Sequence, residues 1–480
     1  MPQPVTLNAK DRHYAARFTY GVSRKTAKQL RKKGGPDWFA EQLKPSKIKD
    51  KKAARMADWF PSLAHSPAAL LARDRAGTKP GWQVMQDLGR WTMMRRIHSK
   101  RQVHELMVEF WSNLLHVPIE TDDAWMFRVS YDKMIRKYAL KRFDKMLIAA
   151  TTHGAMGLFL DNASSTKHAP NENLGREVLE LHSVGVGKYT EADVKNSSQL
   201  LTGYRVDLWP DLDQRYETGD HHTGRIKVMD FVSANASPDG RAATEDYLKY
   251  LAHHPATAKR IARRLCVRFV NDDPSQDLVR TVARAYTRSN TKIKPTLLAM
   301  VEHPEFAQSK KDKVRTPMED SLGTVRALGP KILKPRRGDS GDNDFANAFL
   351  WVARVAGQAP YDWPGPDGYP ETNAPWSSAG RVLDSMNFHR GITAGWWPSK
   401  GVEYRDHTYW LPTLPASFNE VVNHASELLH GRKAPKRLRK AASIRTGIGG
   451  STAVNAKDMS EVRVQQILLT LLDSPTHLKR

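Results

Sequence analysis

The sequence predicts a mainly α-helical protein, built as one large multi-helix domain with two irregular interruptions. Over most of the 480 residues, apolar side chains recur at steps of three and four, the spacing of one helix face. Within the Asp-, Gly- and Pro-rich stretch 204–240, only residues 225–229 alternate in the manner of a strand. Five prolines exclude regular structure at 358–377. We therefore expect helices throughout, interrupted by an irregular insertion with a short β-hairpin at 204–240 and by a Pro- and Trp-rich loop at 358–377.

The helices are predicted from their apolar spacing and from the residues that end them. In the first clear helix, Met85, Leu88 and Trp91 recur at three-residue steps, and Ser99 ends the pattern. A second helix begins near residue 103, and Pro118 ends it. The same spacing predicts further helices at 124–138, 142–153, 171–184, 191–202, 240–253, 256–269, 275–288, 294–303, 344–356, 378–388, 417–430 and 459–473.

The chain shows no clear internal boundary, so we expect a single domain over residues 10–480. Its parts are an N-terminal helical part (1–203), the insertion (204–240) and a C-terminal helical part (241–480). The Lys-, Arg- and Gly-rich segment 331–343 is predicted to be an exposed loop.

Positive charge is concentrated in three segments of the chain. The 75 Lys and Arg residues exceed the 51 Asp and Glu residues, which gives a net charge of +24. Residues 1–60 hold 15 basic and 5 acidic side chains, residues 310–339 hold 9 and 4, and residues 428–457 hold 8 and none. We call these ranges the three basic segments. Such surfaces attract anions, so we expect an anionic polymer or an acidic protein as partner.

Several protein classes are excluded by composition. A single cysteine, Cys266, excludes an internal disulfide and a cysteine-based zinc site. No apolar run reaches the length of about 18–20 residues that a membrane helix needs, so we expect no membrane insertion. Residues 1–7 lack the basic and apolar regions of a secretory signal, so we expect a cytoplasmic protein.

The most concentrated polar stretch of the sequence lies at 171–182. On a helix, Glu177 and Glu180 lie beside the apolar face and so at the edge of the core. Carboxylates in that position bind metals or transfer protons. We predict that Glu177 and Glu180 act as acid and base or as ligands of a divalent metal, with His221 as a further metal ligand and Arg176 as a clamp for an anionic substrate.

Five further residues are predicted to contact a ligand. They are Asn171, Glu172 and Asn173 at the start of the polar stretch, and Trp363 and Trp376 in the Pro- and Trp-rich loop, where exposed rings can stack on a sugar or a base. In the alternative interpretation, the polar stretch only locks helices together through a Glu172–Arg176 ion pair and asparagine caps.

The order of several motifs resembles a known family over nearly the whole chain. The motifs are Phe110-Trp111-Ser112-Asn113, residues 170–181, residues 189–194 and Leu201-Thr202-Gly203-Tyr204. They resemble the bacterial family known as domain of unknown function 1800, which is uncharacterised. Many of its members resemble exported proteins whose genes neighbour a sulfatase-like family, which implies work on anionic polymers. This chain departs from that pattern because it shows no export signal. In addition, Ser112 and Leu114 stand where many relatives carry histidines, and only His116 lies nearby.

Three functions remain open at this point. The first is a hydrolase-like protein that acts on an anionic polymer or ester through a carboxylate and histidine site, with or without a divalent metal. The second is a non-catalytic polyanion-binding or assembly protein that uses the basic segments. The third is a nucleic-acid-binding protein, for which basic charge alone is a poor discriminator.

Overall fold

The fold is mainly helical, as the sequence predicts. A computed structural model describes residues 2–120, 123–335 and 344–480 of the chain. Within these ranges, 61% of residues are helical and the strands form only two-stranded sheets. No helix in the described ranges has the length and apolar character needed to cross a bilayer.

The first twelve α-helices precede the predicted insertion. Their bounds are α1 Ala9–Phe18, α2 Arg24–Lys33, α3 Gly35–Gln42, α4 Lys51–Arg55, α5 Pro67–Arg75, α6 Gly81–His98, α7 Gln102–Leu114, α8 Trp125–Tyr138, α9 Phe143–Thr151, α10 Gly154–Phe159, α11 Glu172–Glu177 and α12 Glu191–Leu200. A π-helical turn, Val178–His182, directly continues α11.

Twelve more α-helices follow the insertion. Their bounds are α13 Arg241–His253, α14 Pro255–Phe269, α15 Gln276–Arg288, α16 Ile293–Glu302, α17 Pro304–Gln308, α18 Pro317–Leu328, α19 Phe345–Val355, α20 Ala379–Thr393, α21 Phe418–His430, α22 Lys436–Thr446, α23 Glu461–Leu472 and α24 Pro475–Leu478.

Short 3-10 helices occupy several of the connections. They are Pro45–Lys47, Met56–Trp59, Pro61–Ala64, Asn162–Ser164, Thr218–Asp220, Ala374–Trp376, His407–Trp410 and Ala456–Asp458.

The strands are short and all pair in antiparallel fashion. They are β1 Tyr204–Asp207, β2 Asp213–Tyr216, β3 Ile226–Val228, β4 Phe231–Ser233, β5 Lys331–Ile332, β6 Val402–Glu403, β7 Ala416–Ser417 and β8 Ala453–Val454. The pairs are β1–β2, β3–β4, β5–β6 and β7–β8. The insertion at 204–240 therefore holds two hairpins rather than one, and β3 coincides with the predicted strand.

The two predicted loops differ in how far the structure describes them. The Pro- and Trp-rich loop 358–377 has no regular element except the 3-10 turn Ala374–Trp376. In the predicted loop 331–343, β5 begins the segment and residues 336–343 lie outside the described part of the chain.

Helix α18 occupies a central position in the packing. It contacts α6, α19, α20 and α21. Because it is covered on several sides, its polar side chains are buried with its apolar ones, including Glu319, Asp320 and Thr324. Its start is fixed by a capping box, in which Thr316 Oγ1 accepts from the Glu319 backbone N–H at 3.3 Å and the Glu319 carboxylate accepts from the Thr316 N–H at 3.2 Å.

Buried charges connect α18 to two other helices and to the loop 358–377. The Arg268 guanidinium on α14 lies 3.0 Å from the Glu109 carboxylate on α7, 2.8 Å from Glu319 and 3.3 Å from Glu371 in the loop. Arg480 adds a second positive charge 2.9 Å from Glu319. Burial by itself would raise the pKa of Glu319, but Arg268 and Arg480 lower that pKa to about 2. We call these residues, together with Arg96 beside Glu109, the Arg268 network.

We predict that Arg268→Met lowers the free energy of unfolding by about 3–5 kcal/mol, because the buried carboxylates around Arg268 lose a shared partner. Arg263→Met is the matched control on the same helix, since the Arg263 side chain is 48% exposed and makes one long ion pair of 3.9 Å. Its effect should stay within about 0.5 kcal/mol. Urea unfolding at pH 7 measures both variants, and equal losses would show that the network does not carry this stability.

Candidate functional site

The predicted carboxylates Glu177 and Glu180 lie where the chain changes from α- to π-helix. Glu177 ends α11 and Glu180 lies within the π-helical turn. Both side chains are half-buried, while Leu174 and Val178 are fully buried beneath them. Turns of π-helix occur frequently at functional sites because they displace side chains from the regular helical positions. The position of the two carboxylates at the edge of the core therefore agrees with the sequence.

The structure brings this carboxylate pair next to the Pro- and Trp-rich loop. Burial raises the pKa of Glu177, and the nearby charges of Glu180 and of Asp367 in the loop raise it further. The Tyr189 hydroxyl donates a hydrogen bond to Glu180. A carboxyl whose pKa is raised by burial, beside a second carboxyl group, is the arrangement that supplies a general acid.

The other polar residues of this stretch already have protein partners. Arg176 donates two hydrogen bonds to the Glu191 carboxylate, at 2.8 and 2.7 Å, and lies 3.5 Å from Glu172. Asn171 caps α11 by accepting from the Asn173 N–H at 2.9 Å. These contacts are the ones that the alternative interpretation, a helix lock, expects.

The two tryptophans of the loop differ in exposure. Trp376 is buried, and its indole N–H donates to the Pro370 carbonyl at 2.9 Å. Trp363 is half-exposed, and its indole N–H donates to Asp367 at 2.7 Å. Of the two rings, Trp363 is the one that a ligand can reach.

The ligand atoms of His221, Glu177 and Glu180 do not all lie within 4.8 Å of one another. His221 is buried, its Nδ1 lies 3.1 Å from the Thr202 carbonyl, and its Nε2 lies 3.0 Å from Asn235 Oδ1. Among the described residues, the only set of three His, Cys, Asp or Glu side chains with ligand atoms within 4.8 Å of one another is Asp320, His389 and His477. The metal site predicted at Glu177, Glu180 and His221 stays a prediction.

A cavity of about 350 Å³ forms a second candidate site, which the sequence did not single out. We call it the cationic cavity. Its walls come from α1, the segment before α18, α18 itself, the end of α21 and residues 476–480. The seven Lys and Arg side chains of the lining are Arg12, Lys310, Lys311, Arg315, Arg432, Lys479 and Arg480, and its three histidines are His13, His430 and His477. No acidic side chain is present among these lining residues.

The absence of a side chain at Gly323 leaves room for the Arg315 guanidinium at the cavity wall. A Cβ atom at Gly323 on α18 would lie 2.0 Å from Nη1 of Arg315. Any other residue at this position would therefore displace the guanidinium that lines the cavity.

Several buried polar atoms around the cationic cavity lack a hydrogen-bond partner in the protein. Within the described residues, the buried atoms without a partner include Nη1 of Arg315, Nε of Arg432, both ring nitrogens of His430 and Nδ1 of His477. Burial and the neighbouring Arg432 lower the pKa of Arg12, and burial with His477 and two arginines holds the pKa of His430 well below its usual value. Both pKa shifts have the direction that burial and neighbouring positive charge produce.

Behind the cavity wall lies a cluster of polar side chains, which we call the Asp320 cluster. Asp320, Thr324, His389 and His477 are buried, and Asp473 is partly exposed. Oδ1 of Asp320 lies 3.5 Å from Nε2 of His389 and 3.3 Å from Nε2 of His477. Thr324 Oγ1 lies 3.0 and 2.9 Å from the same two nitrogens. On the far side of the His389 ring, Nδ1 lies 2.8 Å from Asp473. Burial lowers the pKa of His389, but Asp320 and Asp473 outweigh burial and raise it to about 9.

Comparison with known proteins identifies a family but no function. A family model described as "Protein of unknown function (DUF1800)" matches residues 13–478. No curated protein and no solved structure matches the chain.

We predict that Glu177→Gln stabilises the protein at neutral pH. The pKa of Glu177 is higher in the folded than in the unfolded chain, so ionisation of this group destabilises the fold as pH rises through the folded-state pKa. Glutamine removes that charge. The melting temperature of the variant at pH 7 should therefore equal or exceed that of the wild type, and the difference should vanish below the unfolded pKa of about 4.3.

Glu172→Gln is the control for this experiment, because Glu172 is exposed on the same helix and pairs with Arg176. Glu172→Gln should not raise the melting temperature at pH 7. A Glu177→Gln variant that melts below the wild type at pH 7 would indicate that the carboxylate holds helices together instead.

Proposed function

This chain belongs to the DUF1800 family of proteins of unknown function, and we propose that it binds an anionic ligand group, such as a phosphate, sulfate or carboxylate, in the cationic cavity. The observation that carries the proposal is the lining, which combines seven Lys and Arg side chains with no acidic side chain. Like charges crowded in a partly buried space repel each other, and a bound anion relieves that repulsion.

The three basic segments of the sequence support this proposal because each of them supplies part of the cavity. Arg12 comes from the first segment, Arg315 from the second and Arg432 from the third. These residues are more than 100 positions apart in the chain, and the fold places them around one space. Basic side chains that merely keep a surface solvated have no reason to converge in this way.

The unpaired donors supply the second line of support. Buried polar atoms are nearly always hydrogen-bonded, so buried N–H donors without acceptors in the chain are open to an acceptor from outside it, either water or a ligand oxygen. Arg315 and Arg432 each offer such a donor, and a phosphate or sulfate oxygen accepts from arginine with a strong, charge-assisted hydrogen bond.

The cavity volume limits what the ligand can be. About 350 Å³ lies at the small end of the range of ligand sites in proteins, which is about 300–1,000 Å³. The space therefore suits a small anionic compound, or one anionic unit of a polymer whose remainder lies outside. The second of these corresponds to the polyanion-binding function predicted from the sequence.

A hydrolytic function at Glu177 and Glu180 stays a second proposal. It is favoured by the raised pKa of Glu177 beside Glu180, which suits a general acid paired with a base. If it is correct, Glu177→Gln loses the hydrolysis of aryl phosphate or sulfate esters while it keeps the fold. Full retention of such hydrolysis in the variant would overturn it.

We predict that the protein binds inorganic phosphate or sulfate and that Arg432→Gln weakens this binding at least tenfold. Loss of one charge-assisted hydrogen bond costs about 1.5–3 kcal/mol, and about 1.4 kcal/mol corresponds to a factor of ten in affinity. Isothermal titration calorimetry at fixed ionic strength measures the dissociation constants of wild type and variant.

Lys440→Gln is the matched control, because it removes the same charge from the same basic run at an exposed residue outside the cavity lining. Its affinity should equal that of the wild type. Equal losses in both variants would indicate general attraction by surface charge, and no saturable binding to the wild type would refute the proposal.

A further inference from the structure

We propose that Asp320, His389 and His477 bind a divalent transition-metal ion, with Zn²⁺ as the reference ion. The proposal does not depend on anion binding, since its ligand atoms are not the unpaired donors of the cavity. His477 contributes to both places, but through different ring nitrogens: Nε2 belongs to the Asp320 cluster and Nδ1 is unpaired.

The donor types fit this class of metal. Two imidazole nitrogens and one carboxylate oxygen form a set that binds zinc and iron(II) in proteins, with further positions left for water or another ligand. Thr324 Oγ1 lies within 3.0 Å of both imidazole nitrogens, so a fourth donor atom, an oxygen, is already in place. The one cysteine, Cys266, is buried and does not belong to this ligand set.

The distances between the donor atoms fit as well. In a tetrahedral zinc site with bonds of about 2.0–2.1 Å, neighbouring ligand atoms lie about 3.3 Å apart. Oδ1 of Asp320 lies 3.3 Å from Nε2 of His477 and 3.5 Å from Nε2 of His389. The three ligand atoms all lie within 4.8 Å of one another. A metal ion would therefore require only small movements of these side chains.

Asp320 is the member of the cluster whose hydrogen bonding the chain leaves incomplete. It is 2% exposed, and its Oδ1 accepts no hydrogen bond within the described residues, although two imidazoles lie at ion-pair distance. A buried carboxylate needs a positive partner, and a metal ion supplies that charge in place of the proton on His389, which is released when the metal binds.

The surroundings of the ligands are those that support metal sites. Nδ1 of His389 lies 2.8 Å from Asp473, which forms the carboxylate–histidine arrangement that orients an imidazole whose other nitrogen binds a metal. The ligands come from α18, α20 and α24, so packed helices fix their relative positions. His477 and Gly323 also line the cationic cavity, which provides a route to the cluster from that side.

The metal site is tested on the full chain after treatment with a chelator. Titration with Co²⁺, followed by absorbance, should show saturation at one ion per chain and no sulfur charge-transfer band, because no cysteine is a ligand. Competition with Zn²⁺ should displace the cobalt. Zn²⁺ should also raise the melting temperature, because an ion that binds only the folded state stabilises it.

Two ligand variants and one control complete the test. His389→Gln and His477→Asn should each weaken binding by at least tenfold, because even changes to residues that only orient a metal ligand cost about 10–100-fold. His430→Gln is the control, since the His430 ring lies 5.5 Å from His477 and His430 is not in the ligand set. Its metal affinity should match that of the wild type.

Two results would overturn the assignment. The first is the absence of saturable Co²⁺ or Zn²⁺ binding by the wild type, a measurement that does not depend on whether the variants fold. The second is metal binding that survives in both ligand variants. If Glu177→Gln then abolished that binding, the metal would lie at the carboxylate pair Glu177 and Glu180. Because phosphate affinity is measured separately in the presence of chelator, failure of the metal site leaves anion binding testable.

Discussion

The ion pairs of Arg268 are the constraint on which the arrangement of both candidate sites depends. Its guanidinium pairs with Glu109 on α7, Glu319 on α18 and Glu371 in the loop 358–377. Helix α18 forms part of the cationic cavity, and the loop lies beside Glu177 and Glu180, so Arg268 connects the two candidate sites. Consecutive residues of a helix point about 100° apart. With Glu319 directed at Arg268, Asp320 is directed to another side of α18, where it meets the histidines of α20 and α24.

The same arrangement explains why the cationic cavity contains no acidic side chain among its described lining residues. The basic segment 310–339 contains four acidic residues. Two of them are buried: Glu319 pairs with Arg268 and Arg480, and Asp320 pairs with the histidines. What remains at the cavity from this segment is basic. Net charge alone would suggest general attraction for polyanions, whereas the fold concentrates part of that charge into a defined site.

Local patterns predicted much of this fold, although they named no helix at α1–α5, at α18 or at α22. Helices such as α6 and α7 bury one face, so their apolar spacing is visible in the sequence, and the insertion and the loop are marked by Gly and Pro. Helix α18 was not predicted because it is buried on several sides and carries buried charges, which erase the apolar period. The capping sequence Thr316–Glu319 was the available signal for its start.

The candidate sites follow the same rule. Glu177 and Glu180 were found because they are neighbours in sequence, whereas Asp320, His389 and His477 are joined only by the tertiary fold and show no ligand spacing along the chain. The three basic segments were recognised as charged, but their convergence on one cavity could not be read from a linear pattern.

The most direct measurement for the central claim is anomalous diffraction at the selenium edge from crystals of the full chain grown with selenate, an analogue of sulfate. The account predicts a selenium peak inside the cationic cavity, with selenate oxygens about 3 Å from the guanidinium groups of Arg315 and Arg432. An empty cavity, with selenate peaks only on exposed lysines outside it, would contradict the account.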